Sequence, residues 1–213
     1  MNIFTIIFIF FLFISSFIQF WLAKRQSDYV SNHRSEVPDA FKSKVSLEAH
    51  QKAADYTLTK VKLSDLDSAL GIIVLLLLTL GGGINIIFTY WSTFSLSPLI
   101  EGVAATATIF LLLTLIEIPT SLYQTFVIEE KFGFNRTTIK TFISDMLKGS
   151  LLGLAIGVPL IYIILWLMEQ AGDQWWLYTW LVISGFSLFM MWVYPTWIAP
   201  IFNKFEPLEE GDT

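Results

Sequence analysis

Five long apolar stretches divide the chain, and each is close to the length that crosses a bilayer. They cover about residues 2–23, 66–91, 103–127, 149–168 and 175–197. A helix rises 1.5 Å per residue, so about 20 residues cross roughly 30 Å of hydrocarbon. Because apolar and polar residues do not alternate at period two, a barrel is disfavoured. The pattern predicts an all-α polytopic membrane protein with five transmembrane helices.

Lysine and arginine residues differ sharply in number between the connections. The segments that follow the five spans contain eight, none, four, none and one of these residues. Connections rich in Lys and Arg stay on the cytoplasmic side of a membrane. The counts therefore predict that the N-terminus lies outside and the C-terminus lies in the cytoplasm. The Phe- and Ile-rich sequence suits a bacterial inner membrane, and an endoplasmic reticulum membrane is the alternative.

The first cytoplasmic connection has a helical pattern of its own. From Ser46 onward, apolar side chains recur at helical spacing and charged residues occupy the rest of the helix surface. We interpret this segment as a juxtamembrane amphipathic helix, and a solvated helical spacer is the alternative. Ser64, followed by Asp67, resembles an N-cap signal for a separate second span.

Two polar residues within the spans are candidates for the wall of an internal chamber. Glu117 lies two residues before Pro119 in the third span, and a carboxylate at membrane depth is costly unless it is paired, hydrated or protonated. It either lines a cavity or bonds to a neighbouring helix. Asn85 follows Gly81–Gly83 in the second span. Those glycines permit either close helix packing or a broken helix beside a cavity.

Composition agrees with a membrane protein and limits the chemistry of the chain. Of 213 residues, 54% are hydrophobic and 15% are charged, whereas about 25% are charged in soluble domains. A net charge of −5 and the lack of a basic patch argue against a nucleic-acid partner. The chain has no Cys and two His, His33 and His50, so we predict no metal site within it.

The third connection contains a distinctive loop, FVIEEKFGFNRTT, at residues 126–138. A helix end with two acids and a base leads into an aromatic–glycine–aromatic turn. We predict that this loop docks a partner surface, and a well-packed interfacial turn is the alternative. The predicted docking residues are Glu129, Glu130, Phe132, Gly133, Phe134, Asn135 and Arg136. Asn135 or Thr137 is expected to cap the following helix.

The segment after the fifth span remains apolar although it leaves the membrane. Its motif residues are Pro195, Pro200, Asn203, Lys204, Phe205 and Pro207. The prolines are expected to end the span and to impose an extended path. Residues 198–213 are interpreted as the start of a connection to a cytoplasmic domain that is missing here and that would cover the apolar side chains.

These loop and tail residues resemble the N-terminal membrane part of the CAAX prenyl protease type 1 family, a family of integral-membrane zinc metalloproteases. The resemblance rests on residues 126–135 (FVIEEKFGFN) and 195–208 (PTWIAPIFNKFEPL), and more weakly on Tyr56-Thr57 with Lys60. Order and spacing agree over nearly the whole chain, and the first span is the least distinctive part.

The resemblance implies a seven-span protein that encloses a water-filled chamber and holds zinc through His-Glu-x-x-His and a downstream Glu. That motif does not occur in this sequence, so the catalytic residues and the zinc ligands are expected beyond Thr213. Residues 1–197 would then form part of the chamber and dock the protease domain of the same protein. The chain alone is expected to be inactive.

The family's substrates are proteins with C-terminal, prenylated CAAX sequences, and other membrane-associated polypeptides are the alternative. The expected partners are therefore the lipid bilayer, the protease domain and a peptide or protein substrate. Two other classes stay open. The glycine run with Glu117 and Pro119 is compatible with a small transporter or channel, and the third loop is compatible with an inactive membrane scaffold.

Overall fold

The structure, a computed structural model, describes residues 2–203. Its α-helices are α1 (Ile3–Asn32), α2 (Leu47–Thr79), α3 (Gly83–Ser92), α4 (Pro98–Tyr123), α5 (Glu130–Phe132), α6 (Ile139–Gln170), α7 (Trp175–Val193) and α8 (Ala199–Phe202). Short 3-10 turns cover Asp39–Phe41 and Gly172–Gln174, and π-helical segments cover Gln124–Glu129 and Tyr194–Ile198. No strand occurs between residues 2 and 203, and the all-α prediction is confirmed.

Four continuous helical segments are long and apolar enough to cross a membrane. They are Ile3–Asn32, Pro98–Phe132, Ile139–Gln170 and Gly172–Phe202. α2 and α3 together are also long and apolar enough, and they are bent by 51° at a short break. Counted as one span, this bent pair brings the total for the described residues to the predicted five.

The spanning helices expose large apolar side chains. Phe4, Phe13 and Leu188, for example, are 77%, 70% and 69% exposed. So much exposed apolar surface is unfavourable in water and favourable against hydrocarbon. The helices are therefore those of an integral membrane protein.

The amphipathic segment and the second span form one helix, not two. α2 begins after Ser46, whose hydroxyl accepts a hydrogen bond from the backbone N–H of Ala49 at 3.2 Å. The helix then runs through Ser64, so the predicted N-cap at that residue is wrong. Neither Gly nor Pro occurs between residues 47 and 70, and without such a residue nothing interrupts the backbone ladder.

The glycine run ends α2 and starts α3. The N–H groups of Leu80 and Gly81 both donate to the carbonyl of Leu76, at 2.9 and 2.8 Å. Gly82 has φ +77°, a left-handed conformation that glycine adopts readily. A Cβ added at Gly81 would lie 2.6 Å from the carbonyl oxygen of Leu77. The helix is therefore broken at this run, while a cavity beside the break stays a prediction.

Two compact units make up the fold, and each has its own interhelical contacts. The first unit comprises Met1–Gly83 and Thr114–Thr137. In it the side-chain amide of Gln19 in α1 donates to the Ser68 hydroxyl in α2 at 2.6 Å. This bond fixes the register of α1 against α2.

The second unit comprises Ile84–Leu113 and Thr138–Thr213. Its α3 is joined to α4 by the Trp91 indole N–H, which donates to the Thr108 hydroxyl at 3.0 Å. Gly102 in α4 allows close approach to α6, because a Cβ there would lie 3.0 Å from Cδ1 of Leu165. Within the second unit, α4 thus packs closely on α6 and is hydrogen-bonded to α3.

Substitution at Gly82 tests the break between α2 and α3. Gly82→Ala should lower the free energy of unfolding by about 1–2 kcal/mol, because an L side chain is strained at positive φ. Gly71→Ala is the matched control, since Gly71 lies within α2 and an added Cβ meets nothing within 4 Å. The control should be neutral or stabilising by up to about 1 kcal/mol. Thermal unfolding in detergent, followed by circular dichroism, measures both variants; equal midpoints would contradict the left-handed turn.

Candidate functional site

The third loop is held by a glycine-dependent turn. Gly133 has φ 76° and ψ 24° and follows the last residue of α5. Past it, the N–H groups of Phe134 and Asn135 both donate to the backbone carbonyl of Glu129, at 2.8 and 3.2 Å. A positive φ favours glycine over other residues. The aromatic–glycine–aromatic sequence thus places two phenylalanines on either side of a left-handed reversal.

The carboxylate of Glu129 is bound by a tyrosine from α2. The Tyr56 hydroxyl donates to Oε1 of Glu129 at 2.6 Å, and Nζ of Lys60 lies 3.9 Å from the same oxygen. The Glu129 side chain is 19% exposed, so the bond is largely protected from water. Both α2 residues lie before the apolar stretch that starts at residue 66.

The environment of Tyr56 also shifts its acidity. The hydrogen bond to Glu129 raises the pKa of Tyr56 above its ordinary value, and partial burial acts in the same direction. The neighbouring Lys60 opposes the shift. Because the neutral phenol is favoured, Tyr56 remains a hydrogen-bond donor to the carboxylate throughout the neutral pH range.

An aromatic cluster packs around the turn. The Tyr56 ring contacts Phe132 and Phe134 edge-on, with centroid distances of 5.2 and 5.0 Å. Phe132 is 5% exposed and packs in a core with Leu63 and Ile128. Edge-to-face pairs of this kind add about 0.5–1.5 kcal/mol each beyond the burial of area. α2 and the third loop are therefore one packed body.

Lysines lie over the rings of this cluster. Nζ of Lys52 is 5.6 Å from the Phe134 centroid, and Nζ of Lys60 is 5.4 Å from the Tyr56 centroid. Within α5, Nζ of Lys131 is 5.4 Å from the Phe132 centroid. The exposed side of the cluster thus carries positive charge above aromatic rings.

A bidentate ion pair joins the end of α1 to α2. Nε and Nη2 of Arg34 donate to Oδ1 and Oδ2 of Asp55, at 2.7 and 2.8 Å. The Arg34 bond holds the pKa of Asp55 below its usual value, and the charge of Lys131 lowers that pKa further. Both side chains of the pair are partly exposed, so the pair adds little stability. Its main effect is geometric, because it holds the residues that follow α1 against α2, next to Tyr56 in the sequence.

Glu130 and the asparagine of the motif form a second hydrogen-bonded layer. The side-chain amide of Asn135 donates to Oε2 of Glu130 at 2.9 Å, and its oxygen accepts from the backbone N–H of Thr137 at 2.7 Å. The cap of α6 is Thr138, whose hydroxyl accepts from the Thr141 N–H at 3.1 Å. The predicted capping by Asn135 or Thr137 is therefore wrong, since Asn135 stabilises the turn before the cap.

The structure brings together five of the seven predicted docking residues and leaves one outside the network. Glu129, Glu130, Phe132, Phe134 and Asn135 take part in the bonds and ring contacts described above, and Gly133 supplies the turn. Arg136 is exposed. Packing among these residues does not test whether they dock a partner, so the docking role stays a prediction.

The two predicted chamber residues belong to different units. Glu117 is exposed and lies in the part of α4 that belongs to the first unit, two residues before Pro119. α4 continues through that proline to Tyr123, and the π-helical segment follows. Asn85 is exposed in α3, in the second unit. Their assignment to a chamber wall stays a prediction.

The tail remains helical through two of its prolines. Pro195 lies in the π-helical segment Tyr194–Ile198, and Pro200 lies in the first turn of α8. The predicted extended path is therefore wrong up to Phe202. Both prolines lie within the continuous helical segment Gly172–Phe202, whose backbone is π-helical at Tyr194–Ile198. A local change of this kind accommodates the missing N–H of a proline within a helix. Asn203 is extended, with φ −132° and ψ 142°, while Lys204, Phe205 and Pro207 lie outside the described residues.

The sequence of the chain matches a known protein family. Residues 26–204 match the sequence model of the CAAX prenyl protease N-terminal region, which consists of five membrane helices. This match covers most of the chain, including the Tyr56 cluster and the helical tail. The chain belongs to this family. The resemblance deduced from the loop and tail sequences is confirmed.

Individual CAAX prenyl proteases are similar over most of the chain. The CAAX prenyl protease 1 homolog of Dictyostelium discoideum is 31% identical over 98% of this chain and 50% of its own length. The probable CAAX prenyl protease 1 of Schizosaccharomyces pombe is 31% identical over 90% of this chain and 43% of its own length. The chain thus spans about half the length of the curated relatives it matches.

A solved structure has the same helical arrangement. The crystal structure of S. mikatae Ste24p superposes with a TM-score of 0.85 and 28% sequence identity. The superposition covers 95% of this chain and 48% of that protein. The fold of this chain is therefore that of one half of a CAAX prenyl protease.

The zinc that the protease family implies does not fit the side chains described in this chain. Between residues 2 and 203, no three His, Asp or Glu side chains converge in a way that could hold a metal ion. One ring nitrogen of each histidine is directed at a carbonyl: Nδ1 of His33 lies 2.8 Å from the Tyr29 oxygen, and Nε2 of His50 lies 2.9 Å from the His33 oxygen. The described residues therefore do not provide a set of zinc ligands.

Sequence reasoning missed several partners of the site. Lys52, Leu63 and the Arg34–Asp55 pair carry no motif, whereas Tyr56 and Lys60 entered only as weak points of resemblance. One available signal was the spacing of Tyr56, Lys60 and Leu63, which repeats at intervals of four and three residues and so marks one face of α2.

Removal of the tyrosine hydroxyl tests the central bond of the cluster. Tyr56→Phe should lower the free energy of unfolding by about 1.5–3 kcal/mol, because it deletes a hydrogen bond to a charged, mostly buried carboxylate. Tyr123→Phe, at an exposed tyrosine of α4, is the control and should change little. Unfolding in detergent measures both. If Tyr56→Phe were as stable as the control, or if Glu129→Gln were additive with it in a double-mutant cycle, the bond would be of no consequence.

Proposed function

We propose that this chain is the N-terminal membrane half of a CAAX-type zinc metalloendopeptidase. The proposal is supported by the family match over residues 26–204 and by a fold that corresponds to about half of Ste24p. In this proposal the zinc ligands and the catalytic residues lie in polypeptide beyond Thr213. The substrates are proteins with prenylated C-terminal CAAX sequences or other membrane-associated polypeptides.

The contribution of this chain to proteolysis is the positioning of other parts. A protease needs its reacting groups held within a fraction of an ångström, which rigid packing provides better than a mobile loop. The third loop meets this need. Phe132 is buried, and the two residues after Gly133 both donate their backbone N–H groups to the carbonyl of Glu129. The loop is therefore suited to receive the protease domain.

Two loop residues are the main candidates for direct contact with that domain. Glu130 and Arg136 are exposed, and their charges are available to a charged or polar surface. Glu129 and Asn135 have supporting roles, because Glu129 accepts a hydrogen bond from Tyr56 and Asn135 donates one to Oε2 of Glu130 itself. Glu117 and Asn85 have a different role in this proposal: they provide polar groups on the wall of an intramembrane chamber.

The charge distribution supports one orientation. The Tyr56 cluster and the third loop both belong to connections rich in Lys and Arg, which remain in the cytoplasm. The C-terminal half would then lie on the same side as the loop that receives it, and the N-terminus would lie outside. The membrane is a bacterial inner membrane or the endoplasmic reticulum membrane.

Charge removal in the loop tests the docking role. In the full-length protein, Glu130→Ala and Arg136→Ala should each lower kcat/KM for a prenylated CAAX peptide about tenfold, which equals about 1.4 kcal/mol of lost transition-state stabilisation. Asp28→Ala and Lys44→Ala, at exposed charged residues of the first unit, serve as controls and should leave the rate unchanged. Peptide cleavage in proteoliposomes gives the rates, and unfolding midpoints show whether the variants are folded. Wild-type rates in both loop variants would reject docking through these charges.

A transporter is the second candidate, because the α2–α3 break resembles the discontinuous helices of transport proteins. The two candidates are separated by the same proteoliposomes. Cleavage that depends on zinc, with no solute flux, supports the protease; flux that persists after zinc is removed by a chelator supports the transporter.

A further inference from the structure

Lys148 in α6 contacts the end of the helical tail. Its Nζ lies 3.4 Å from the backbone oxygen of Ile201 and 5.9 Å from the ring centroid of Phe202. On its other side, Nζ lies 3.5 Å from Oδ1 of Asp145, one turn earlier in α6. One ammonium therefore links the cytoplasmic part of α6 with the last turn of α8. All of these residues belong to the second unit.

The Ile201 carbonyl is a group that requires an outside donor. α8 ends at Phe202, and Asn203 is extended and donates its N–H to the Ala199 carbonyl at 3.0 Å. The last four carbonyls of a helix lack the partners that a continuing helix would supply. A cation is also favoured at a helix C-terminus by the partial negative charge there. The Lys148 ammonium meets both requirements.

The contact is specific to one lysine of α6. Lys140, two turns earlier in the same helix, is exposed, and the contacts to Ile201 and Phe202 belong to Lys148. Asp145 holds the Lys148 side chain from within the helix, and the ammonium of Lys148 lies over the Phe202 ring. Ordering the long Lys148 side chain costs conformational entropy, and the contacts with the tail and Asp145 offset this cost.

We propose that Lys148 is a positioning residue that fixes the direction in which the chain leaves the membrane part toward the protease half. This inference rests on the proposed function, in which the polypeptide beyond the tail carries the catalytic residues. Lys148 does not touch substrate or metal in this role. It acts through the tail, by holding the Ile201 carbonyl and the Phe202 ring against α6.

A spectroscopic measurement tests the contact without reference to activity. Spin labels are placed at Leu147→Cys and Asn203→Cys, two exposed positions, in the full-length protein with any cysteine outside these 213 residues replaced by serine. Pulsed dipolar spectroscopy should give one narrow distance distribution with Lys148 and a broader one with Lys148→Met. Lys148→Arg should restore the narrow distribution, and Lys140→Met is the matched control.

Activity tests the consequence of the contact. Lys148→Met should lower kcat for peptide cleavage about fivefold to tenfold with KM nearly unchanged, because substrate binding remains while the catalytic half is misplaced. Lys148→Arg should restore kcat, which a loss of general stability would not explain. An unchanged distance distribution in Lys148→Met would overturn the contact, and a broadened distribution with unchanged kcat would overturn the positioning role. If even the unsubstituted protein cleaved no peptide, the proposed function would fail, while the distance measurement would still decide the contact.

Discussion

The absence of water in the bilayer interior is the constraint on which this structure depends. Each backbone N–H and C=O at membrane depth must find a partner within the protein, and the helix supplies one for nearly every residue. Hydroxyl side chains obey the same rule. The hydroxyls of Ser16, Thr79 and Thr108 each donate to a carbonyl four residues earlier, at 2.7, 2.6 and 2.8 Å. Bonds of this kind let the spans expose apolar surface to lipid while these hydroxyls stay paired. The Thr179 hydroxyl of α7 is an exception, because it is buried and has no hydrogen-bond partner among the described residues.

Among the described residues, several polar bonds between different segments lie near the ends of the spans. The Arg34–Asp55 pair, the Tyr56–Glu129 bond and the Lys148–Ile201 contact all involve residues of the connections predicted to be cytoplasmic or residues beside them. At such positions a charge retains access to water, so its desolvation cost is moderate. Another domain can also be contacted from these positions. The residues that stabilise the fold there therefore lie beside those proposed to dock the protease domain.

Most of the fold could be predicted from the sequence because its signals are local. Runs of about 20 apolar residues indicate spans, and Gly81–Gly83 are compatible with a break as well as with close helix packing. The errors arose where a local signal competed with helix propagation. Ser64 has the chemistry of an N-cap, but α2 was already nucleated at Ser46 and continued through it. Pro195 and Pro200 were expected to impose an extended path, yet each occupies a helical position where a missing N–H is tolerated.

The site could be predicted only in part, because its main contact joins residues that are far apart in sequence. Tyr56 and Glu129 are 73 positions apart, and no pattern within either segment specifies the other. The loop sequence alone predicted docking against a partner surface, and this stays a prediction. Within the chain, Phe132 is buried and Phe134 is 54% exposed, and both contact Tyr56 of α2. A loop ordered in this way before docking loses little conformational entropy on docking. The internal packing of the motif therefore supports, and does not compete with, a role in receiving a second domain.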